Sequence, residues 1–322
     1  MNKIDLTLGG LFVVLIFTVL GHRAYNKIKQ DKYEEGKSDS EIIKQILINE
    51  TQISKTHKPI LWIHLPFEKN SRNWESFYSR NNNELNQPYL YLTAKSIIDN
   101  NYNDFHICLI DDNSFDKLLP DWFINMNFMG ENEKKKYRTL GMLKLIYNYG
   151  GMCVPVSTLC FDSFKSMYKN NVFTVETVSN SILSENILLT PNISFFGSPK
   201  MDNVVKDLMY KYELCVKDSR DDIFFSGKFE KLCLEKVNSG ELELISGKYV
   251  GTKTDDDKII TIDHLMNVSN DCELSYLSLC LHIPSEDILK RTKYNWFAVE
   301  STDNIVTGNY MLGHCFAKIY NY

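Results

Sequence analysis

The sequence predicts an α/β fold with a mixed β-sheet and flanking helices, and three stretches support that prediction. A short apolar run follows Pro59, and a second one spans residues 105–110; both have the length and composition of buried strands. Over residues 140–147 the apolar positions instead recur at spacings of three and four, which is typical of a helix packed along one face. Helices that pack against buried strands build a layered sheet of the α/β type.

The predicted helix ends at a glycine pair, Gly150 and Gly151. One glycine can take the left-handed conformation that closes many helices, and the next leaves room for a close backbone approach. Residues 152–156 then have the composition of a short buried strand. We therefore expect the helix to run directly into the sheet.

This passage resembles the signature of a family of sugar-nucleotide transferases, which includes the initiating α-mannosyltransferases of fungi and the large clostridial glucosylating toxins. The family pattern reads S-D-x-x-R-x-x-x-L-Y-x-Y-G-G-x-Y-x-D-x-D, and residues 146–151, IYNYGG, match its centre. The resemblance implies a GT-A-like fold, which is the Rossmann-like fold of nucleotide-diphospho-sugar transferases. An ordinary helix stop is the alternative interpretation, because the motif is short.

The positions that carry the family's chemistry differ in this chain. In the family, the D-x-D pair holds a divalent metal that neutralises the diphosphate leaving group, a task for hard oxygen ligands. Counted from the glycines, these positions fall on Pro155 and Ser157, and the upstream Asp and Arg fall on Thr139 and Met142. We therefore expect no metal site and no cofactor, and Mn²⁺ or Mg²⁺ only if the protein is active. Three charged residues lie close by and become substitutes if the register differs by a few residues: Arg138, Lys144 and Asp162.

Other blocks supply candidate site residues. Residues 58–64, KPILWIH, resemble the family's first strand, and residues 105–112, FHICLIDD, end on Asp111 and Asp112, where open α/β sheets place ligands. These two aspartates are the catalytic candidates, although adjacent aspartates more often form a turn or a helix cap. The family also has a late histidine, for which no counterpart is obvious. The resemblance implies these donor-binding residues: Trp62, His64, Lys144, Tyr149, Gly150, Gly151 and Trp296.

Residues 58–297 resemble more closely a group of membrane-anchored proteins encoded by large nucleocytoplasmic DNA viruses. The shared blocks are W-I-H at 62–64, N-S-R-N-W at 70–74, L-N-Q-P-Y-L at 85–90, I-D-D at 110–112, Y-G-G-M-x-V-P at 149–155 and Y-x-W-F at 294–297. In this group Val-Pro stands in place of the acidic pair. The resemblance implies a location in a virion or virus-modified membrane, with virion or membrane proteins as partners.

The amino terminus predicts one transmembrane helix at residues 4–21, which are long and apolar enough to cross a thin bilayer. A cleaved signal peptide is the alternative, but the basic residues follow the run and no small-x-small cleavage site does. Basic residues at 22–32 predict that the large domain lies on the cytosolic side. We expect a single-pass membrane protein with its anchor at 4–21, a polar helical neck at 22–57 and the GT-A-like domain at 58–322.

Cysteines, sequons and net charge narrow the possible partners. Eight cysteines lie scattered without C-x-x-C spacing, which favours buried free thiols over a zinc site or a disulfide framework. Sequons at Asn49, Asn192 and Asn267 need luminal exposure to be used, and chance matches are expected in an asparagine-rich chain. A net charge of −5 argues against nucleic acid as a partner, because phosphate binding needs clustered Lys and Arg.

Two functions remain open. In the first, the chain is a membrane-anchored, glycosyltransferase-like pseudoenzyme that serves as a binding or structural module. In the second, it is an active sugar-nucleotide-dependent glycosyltransferase with a non-standard donor or metal site, in which Asp111, Asp112 and Lys144 substitute. We favour the first, because departure of a nucleoside diphosphate needs its charge stabilised and the family's charged groups are missing.

Overall fold

The computed structural model describes residues 58–65, 87–126, 129–178, 189–218, 226–269 and 271–320. The predicted anchor at 4–21 and the predicted neck at 22–57 lie outside these ranges. No helix among the described residues is both long and apolar enough to span a membrane.

Strands and helices are interspersed along the described residues. The strands are β1 (Ile60–His64), β2 (His106–Ile110), β3 (Gly151–Cys153), β4 (Thr158–Cys160), β5 (Phe173–Val178), β6 (Leu189–Ser198), β7 (Glu243–Ile245) and β8 (Cys280–His282). The helices are α1 (Pro88–Asn101), α2 (Ser114–Leu118), α3 (Glu131–Tyr149), α4 (Asn203–Asp218), α5 (Ser226–Asn238), α6 (Ile262–Leu265), α7 (Ser285–Lys290), α8 (Thr302–Val306) and α9 (Met311–Tyr320). Short 3-10 turns cover Phe164–Ser166, Gly247–Val250 and Asn295–Val299.

A six-stranded mixed sheet, in the order β2-β1-β3-β6-β5-β7, forms the centre of the described part of the chain. β1 pairs in parallel with both β2 and β3. β6 lies antiparallel between β3 and β5, and β7 is parallel to β5. The predicted mixed α/β architecture with flanking helices is thus confirmed. The strand predicted at 152–156 is shorter than expected, since β3 ends at Cys153.

Two apolar cores cover the two faces of this sheet. Trp62 of β1 packs in the core with residues of α3, α4 and α5. Its neighbour Ile63 packs in the opposite core, with residues of α1 and the C-terminal elements. Successive strand residues point to opposite faces. β1 therefore joins the two cores, and both side chains are fully buried, where burial of one such group stabilises the fold by about 1.5–3 kcal/mol.

The passage from α3 into β3 shows why two glycines stand there. Gly150 and Gly151 have φ angles of 73° and 94°, which L side chains rarely adopt. A Cβ on Gly151 would lie 2.1 Å from the carbonyl oxygen of Ile60, so the prediction of a close backbone approach is confirmed. One glycine of the pair was expected in the left-handed helical conformation; Gly150 has the positive φ, but its ψ of −166° is extended.

Strands β4 and β8 form a separate two-stranded antiparallel ribbon. Helix α1 holds this ribbon in place: Ser96 Oγ accepts a hydrogen bond from Cys160 N at 2.9 Å, and Thr93 Oγ1 donates to Val156 O at 2.7 Å. β4 starts directly after Ser157, so the ribbon continues the segment that carries the family's acidic positions.

The cysteine prediction is right for most thiols of the described residues and wrong for one pair. The buried free cysteines are Cys108, Cys153, Cys160, Cys233 and Cys280, and Cys215 is half-buried. Cys272 and Cys315 instead form a disulfide, which ties the loop before β8 to α9. The two cysteines are 43 positions apart in sequence. A pairing of that kind depends on the fold, and no spacing motif indicates it.

Candidate functional site

The carboxyl ends of β1 and β2 bring together His64 and Asp112. His64 ends β1 and is in register with Ile110, two residues before Asp112. His64 Nε2 lies 2.9 Å from Asp112 Oδ1. Two residues that the sequence placed at the site are therefore in direct contact, at the sheet edge where open α/β folds bind ligands.

Arg138, in the second turn of α3, completes this cluster. Its Nε donates to Asp112 Oδ1 and its Nη2 donates to Asp112 Oδ2, both at 2.8 Å. A guanidinium and a carboxylate joined by two bonds hold each other in a fixed orientation. The Arg138 side chain is 11% exposed and that of Asp112 is 18% exposed, so this ion pair is largely shielded from water.

The ion pair sets the charge state of Asp112. Burial acts to raise the pKa of the Asp112 carboxyl, but hydrogen bonds from His64 and Arg138 outweigh burial and hold the pKa well below its usual range. Asp112 is therefore ionised at neutral pH. A carboxylate in this state stabilises neighbouring cations, and it has no proton to give to a leaving group.

Phe115 of α2 fixes the ring of His64. The two rings stack at a centroid distance of 5.7 Å with an interplanar angle of 10°. Phe115 is fully buried against α3, where a Cβ at Gly141 would lie 2.6 Å from its Cε1 atom. A glycine within α3 thus makes room for the aromatic ring that orients His64.

The second catalytic candidate, Asp111, forms the turn into α2. Ser114 Oγ donates to Asp111 Oδ1 at 2.6 Å, and Asp111 N donates to Ser114 Oγ at 3.0 Å. This is the turn-forming use of aspartate that was the alternative for this position. Both candidate carboxylates therefore already have hydrogen-bond partners within the protein.

Trp62 and Tyr149 hold the helix-to-strand passage together. The fully buried Trp62 donates from Nε1 to Gly150 O at 2.9 Å, and Tyr149 OH donates to Leu118 O at 2.6 Å. The rings of Trp62 and Tyr149 lie 5.8 Å apart. These contacts give both aromatic residues a structural role. That Trp62, Tyr149, Gly150 and Gly151 also contact a sugar-nucleotide donor stays a prediction.

Lys144 and Trp296, the two other predicted donor-binding residues, contact residues outside the Asp112 cluster. Lys144 Nζ is 3.8 Å from a carboxylate oxygen of Glu213 on α4 and lies over the ring of Trp122. Trp296 makes edge contacts with Phe297 and Tyr310 at 5.9 Å and 5.8 Å. It remains 41% exposed, so part of its ring is accessible to a ligand.

The family's acidic and basic positions are occupied by groups without charge. Met142 is buried in the core, and Thr139 forms a side-chain hydrogen bond with Tyr212. Pro155 is half-buried, and Ser157 is buried in the turn before β4. Across the described ranges, no group of three or more His, Cys, Asp or Glu side chains is arranged to hold a metal ion.

A polar pair that sequence reasoning missed lies on the ribbon that begins after these positions, with Thr158 buried and His282 half-buried. Thr158 and His282 are cross-strand partners on β4 and β8, so their side chains point to the same side of the ribbon. Neither Thr158 Oγ1 nor His282 Nδ1 has a hydrogen-bond partner within the part of the chain that the structure describes. Burial lowers the pKa of His282 to about 4, so its ring is neutral at pH 7. The sequence indicated this pair only weakly. His282 is a single histidine in a short apolar run, and it lies upstream of residues 289–297, where the family's late histidine was sought.

An ion pair connects α3 with the segment after β8. Lys135 Nζ lies 2.5 Å from Glu286 Oε1. Lys135 is one helical turn before Arg138, and Glu286 belongs to α7, which begins three residues after His282. The ion pair therefore links α3, which carries Arg138, to the helix that follows β8 in the chain.

No family model matches the chain, and no curated protein matches it. Among solved structures, the chain is similar to the PaToxG glycosyltransferase, with a TM-score of 0.36 and 12% sequence identity. The match covers 56% of this chain and 70% of that chain. A likeness this remote is compatible with the mixed α/β fold and carries no argument beyond it.

Proposed function

We propose that this chain is a glycosyltransferase-like protein with a GT-A-like fold that has lost sugar transfer and serves as a membrane-tethered binding or structural module. One observation carries the proposal: both carboxylate oxygens of Asp112 accept hydrogen bonds from Arg138, and one of them also contacts His64. The carboxylate best placed to act at the strand ends is already neutralised within the protein.

Metal-assisted departure of a nucleoside diphosphate needs carboxylate oxygens that can bind the cation. Arg138 occupies the side of the Asp112 carboxylate on which a cation would be chelated by both oxygens, so such binding would displace Arg138, whose charge is largely buried. Leaving one partner of a buried ion pair uncompensated costs about 3–5 kcal/mol. Asp111 is engaged in the turn with Ser114. The arrangement therefore favours a stable, closed cluster over a metal site.

The membrane setting of the proposal rests on the sequence. It comprises the anchor at 4–21, a cytosolic orientation of the large domain, and virion or other membrane proteins as partners in a viral or virus-modified membrane. The Cys272–Cys315 disulfide weighs against the cytosolic orientation, because disulfides persist mainly in oxidising compartments.

Calorimetry tests the proposed loss of transfer. The full-length chain, purified in detergent, is titrated with UDP- and GDP-sugars with and without Mn²⁺, and release of free sugar is followed in parallel. The proposal expects no Mn²⁺-dependent binding and no sugar release. Micromolar binding of any of these donors that requires Mn²⁺ would overturn it. That result would favour the alternative, an active glycosyltransferase with a non-standard donor or metal site.

A further inference from the structure

The β4–β8 ribbon places two free cysteines directly opposite each other. Cys160 and Cys280 are cross-strand partners, and neither side chain is exposed to solvent. Cross-strand partners point to the same side of a sheet, and residues two apart on one strand do so as well. Both thiols therefore lie on the side of the ribbon that carries Thr158 and His282.

The ladder of hydrogen bonds shows how close these cysteines are. Phe161 N donates to Leu279 O at 2.8 Å, and Ile283 N donates to Ser157 O at 2.9 Å. Hydrogen-bonded and non-hydrogen-bonded pairs alternate along an antiparallel ladder, so Cys160 and Cys280 occupy a non-hydrogen-bonded pair. The Cα atoms of such a pair lie about 4.5 Å apart. A disulfide accepts Cα separations of about 4.4–6.8 Å, so the backbone suits a bond between these sulfurs.

The thiols are inert once the protein has folded. Burial raises the pKa of Cys160 to about 12, and burial together with the nearby Cys160 raises the pKa of Cys280. Cys160 Sγ donates to Asp162 O at 3.0 Å and accepts from Asn101 Nδ2 at 3.3 Å. Because thiolates are the reactive species in disulfide chemistry, oxidation of this pair is fastest before the sulfurs are buried, while the chain folds.

We propose that Cys160 and Cys280 form a second disulfide when the chain folds in an oxidising environment, in addition to Cys272–Cys315. One thiolate attacks glutathione disulfide and releases one glutathione thiolate. The second thiolate attacks the mixed disulfide and releases the other. Two protein thiols are thereby oxidised to one disulfide, and one glutathione disulfide is reduced to two glutathione molecules.

The bond has a defined structural consequence. It fixes the register of β4 against β8 beside Thr158 and His282, at the end of the segment that holds Pro155 and Ser157. Together with Cys272–Cys315 it attaches β8 and its preceding loop to two separate parts of the fold. The proposal concerns the redox state of the ribbon, so it stands whether or not the domain transfers sugar.

Peptide mapping tests the proposal directly. The full-length chain is reduced and unfolded in urea, and it is refolded in detergent with a glutathione redox buffer. It is then unfolded again in urea with iodoacetamide, so that every free thiol is alkylated, and digested without reductant. The expected result is a cross-linked peptide pair that contains Cys160 and Cys280, besides the pair that contains Cys272 and Cys315. Alkylation of both Cys160 and Cys280 in protein that carries the Cys272–Cys315 cross-link would overturn the proposal.

A stability measurement isolates the new bond. In the double variant Cys272→Ser/Cys315→Ser, a phosphine reductant should lower the unfolding midpoint of the refolded protein by about 5 °C or more. Adding Cys160→Ser to that variant should abolish the reductant effect. Adding Cys233→Ser instead, which removes a buried thiol on α5, should leave the effect intact. A reductant effect that persists without Cys160 would contradict the assignment.

Discussion

Arg138 of α3 and Asp112, which follows β2, are joined by two hydrogen bonds of 2.8 Å. Asp112→Asn removes the carboxylate that holds the largely buried Arg138 charge with two hydrogen bonds, and it leaves Glu131, 3.5 Å from Arg138 Nη1, in contact with that charge. The free energy of unfolding should therefore fall by about 3 kcal/mol. Adding Arg138→Met removes that charge and should recover much of the loss. Urea unfolding of the full-length protein in detergent measures both effects.

A surface ion pair provides the control for this experiment. Lys95 and Asp99 lie 2.7 Å apart on α1, with the Asp99 side chain 49% exposed. Asp99→Asn should cost less than about 0.5 kcal/mol. Equal losses for Asp112→Asn and Asp99→Asn would show that the Asp112 cluster contributes no more than a solvated pair does.

The same cluster predicts an acid limit to stability. The pKa of Asp112 is lowered in the folded protein, so its contribution is complete above the unfolded-state pKa of about 3.9. The contribution is lost as the pH falls below that value, because protons then bind more readily to the unfolded chain. Urea midpoints between pH 6 and pH 3 should fall more steeply for the wild type than for Asp112→Asn. Parallel curves would argue against a lowered pKa.

His282 predicts a second pH dependence in a different window. Its folded-state pKa of about 4 lies below the unfolded value of about 6.5. Between these values the unfolded chain binds a proton that the folded protein does not, so stability should rise with pH by up to about 1.4 kcal/mol per unit. His282→Asn should remove this slope, and the exposed His264→Asn should keep it. A slope that His282→Asn leaves unchanged would assign the effect to other groups.

Gly151 predicts a backbone effect. Gly151→Ala places a Cβ at 2.1 Å from the Ile60 carbonyl oxygen at a φ of 94°, so the free energy of unfolding should fall by about 3 kcal/mol or more. Gly227→Ala in α5 meets no atom within 4 Å and should be neutral or slightly stabilising. Denaturant unfolding of both variants measures the contrast, and similar midpoints would exclude a tight approach of β3 to β1.

The predicted anchor and orientation give a test in cells. Deletion of residues 4–21 should move the protein from the carbonate-resistant membrane fraction to the soluble fraction. The predicted cytosolic orientation implies that the exposed sequon at Asn267 stays unmodified. An endoglycosidase-sensitive mass shift that Asn267→Gln abolishes would place the domain in the lumen, the side that the Cys272–Cys315 disulfide favours.

Local sequence patterns were sufficient for the first part of the fold. The strands around Trp62 and Cys108 and the helix before Gly150 each have a periodicity that can be read within a few residues. The glycine pair likewise indicated a backbone conformation and a close approach that other residues do not tolerate. The same patterns predicted that Asp112 follows the end of a strand, whereas its contact with His64 was not predicted.

Contacts between residues far apart in the sequence could not be predicted from local patterns. The partner of Asp112 turned out to be Arg138, one residue before the position that corresponds to the family's aspartate, and only the packing of α3 on β2 shows this. The contacts between Cys272 and Cys315 and between Thr158 and His282 likewise join segments that carry no shared spacing.

The β4–β8 ribbon also constrains the order of biosynthesis. β4 is synthesised about midway through the chain, whereas its partner β8 is synthesised only near the end. During the interval the hydrogen-bonding edge of β4 has no β8 to pair with. Unpaired edges recruit other strands and promote aggregation. Chains truncated before Cys280 should therefore be retained by chaperones or degraded, even though all six strands of the central sheet are already present.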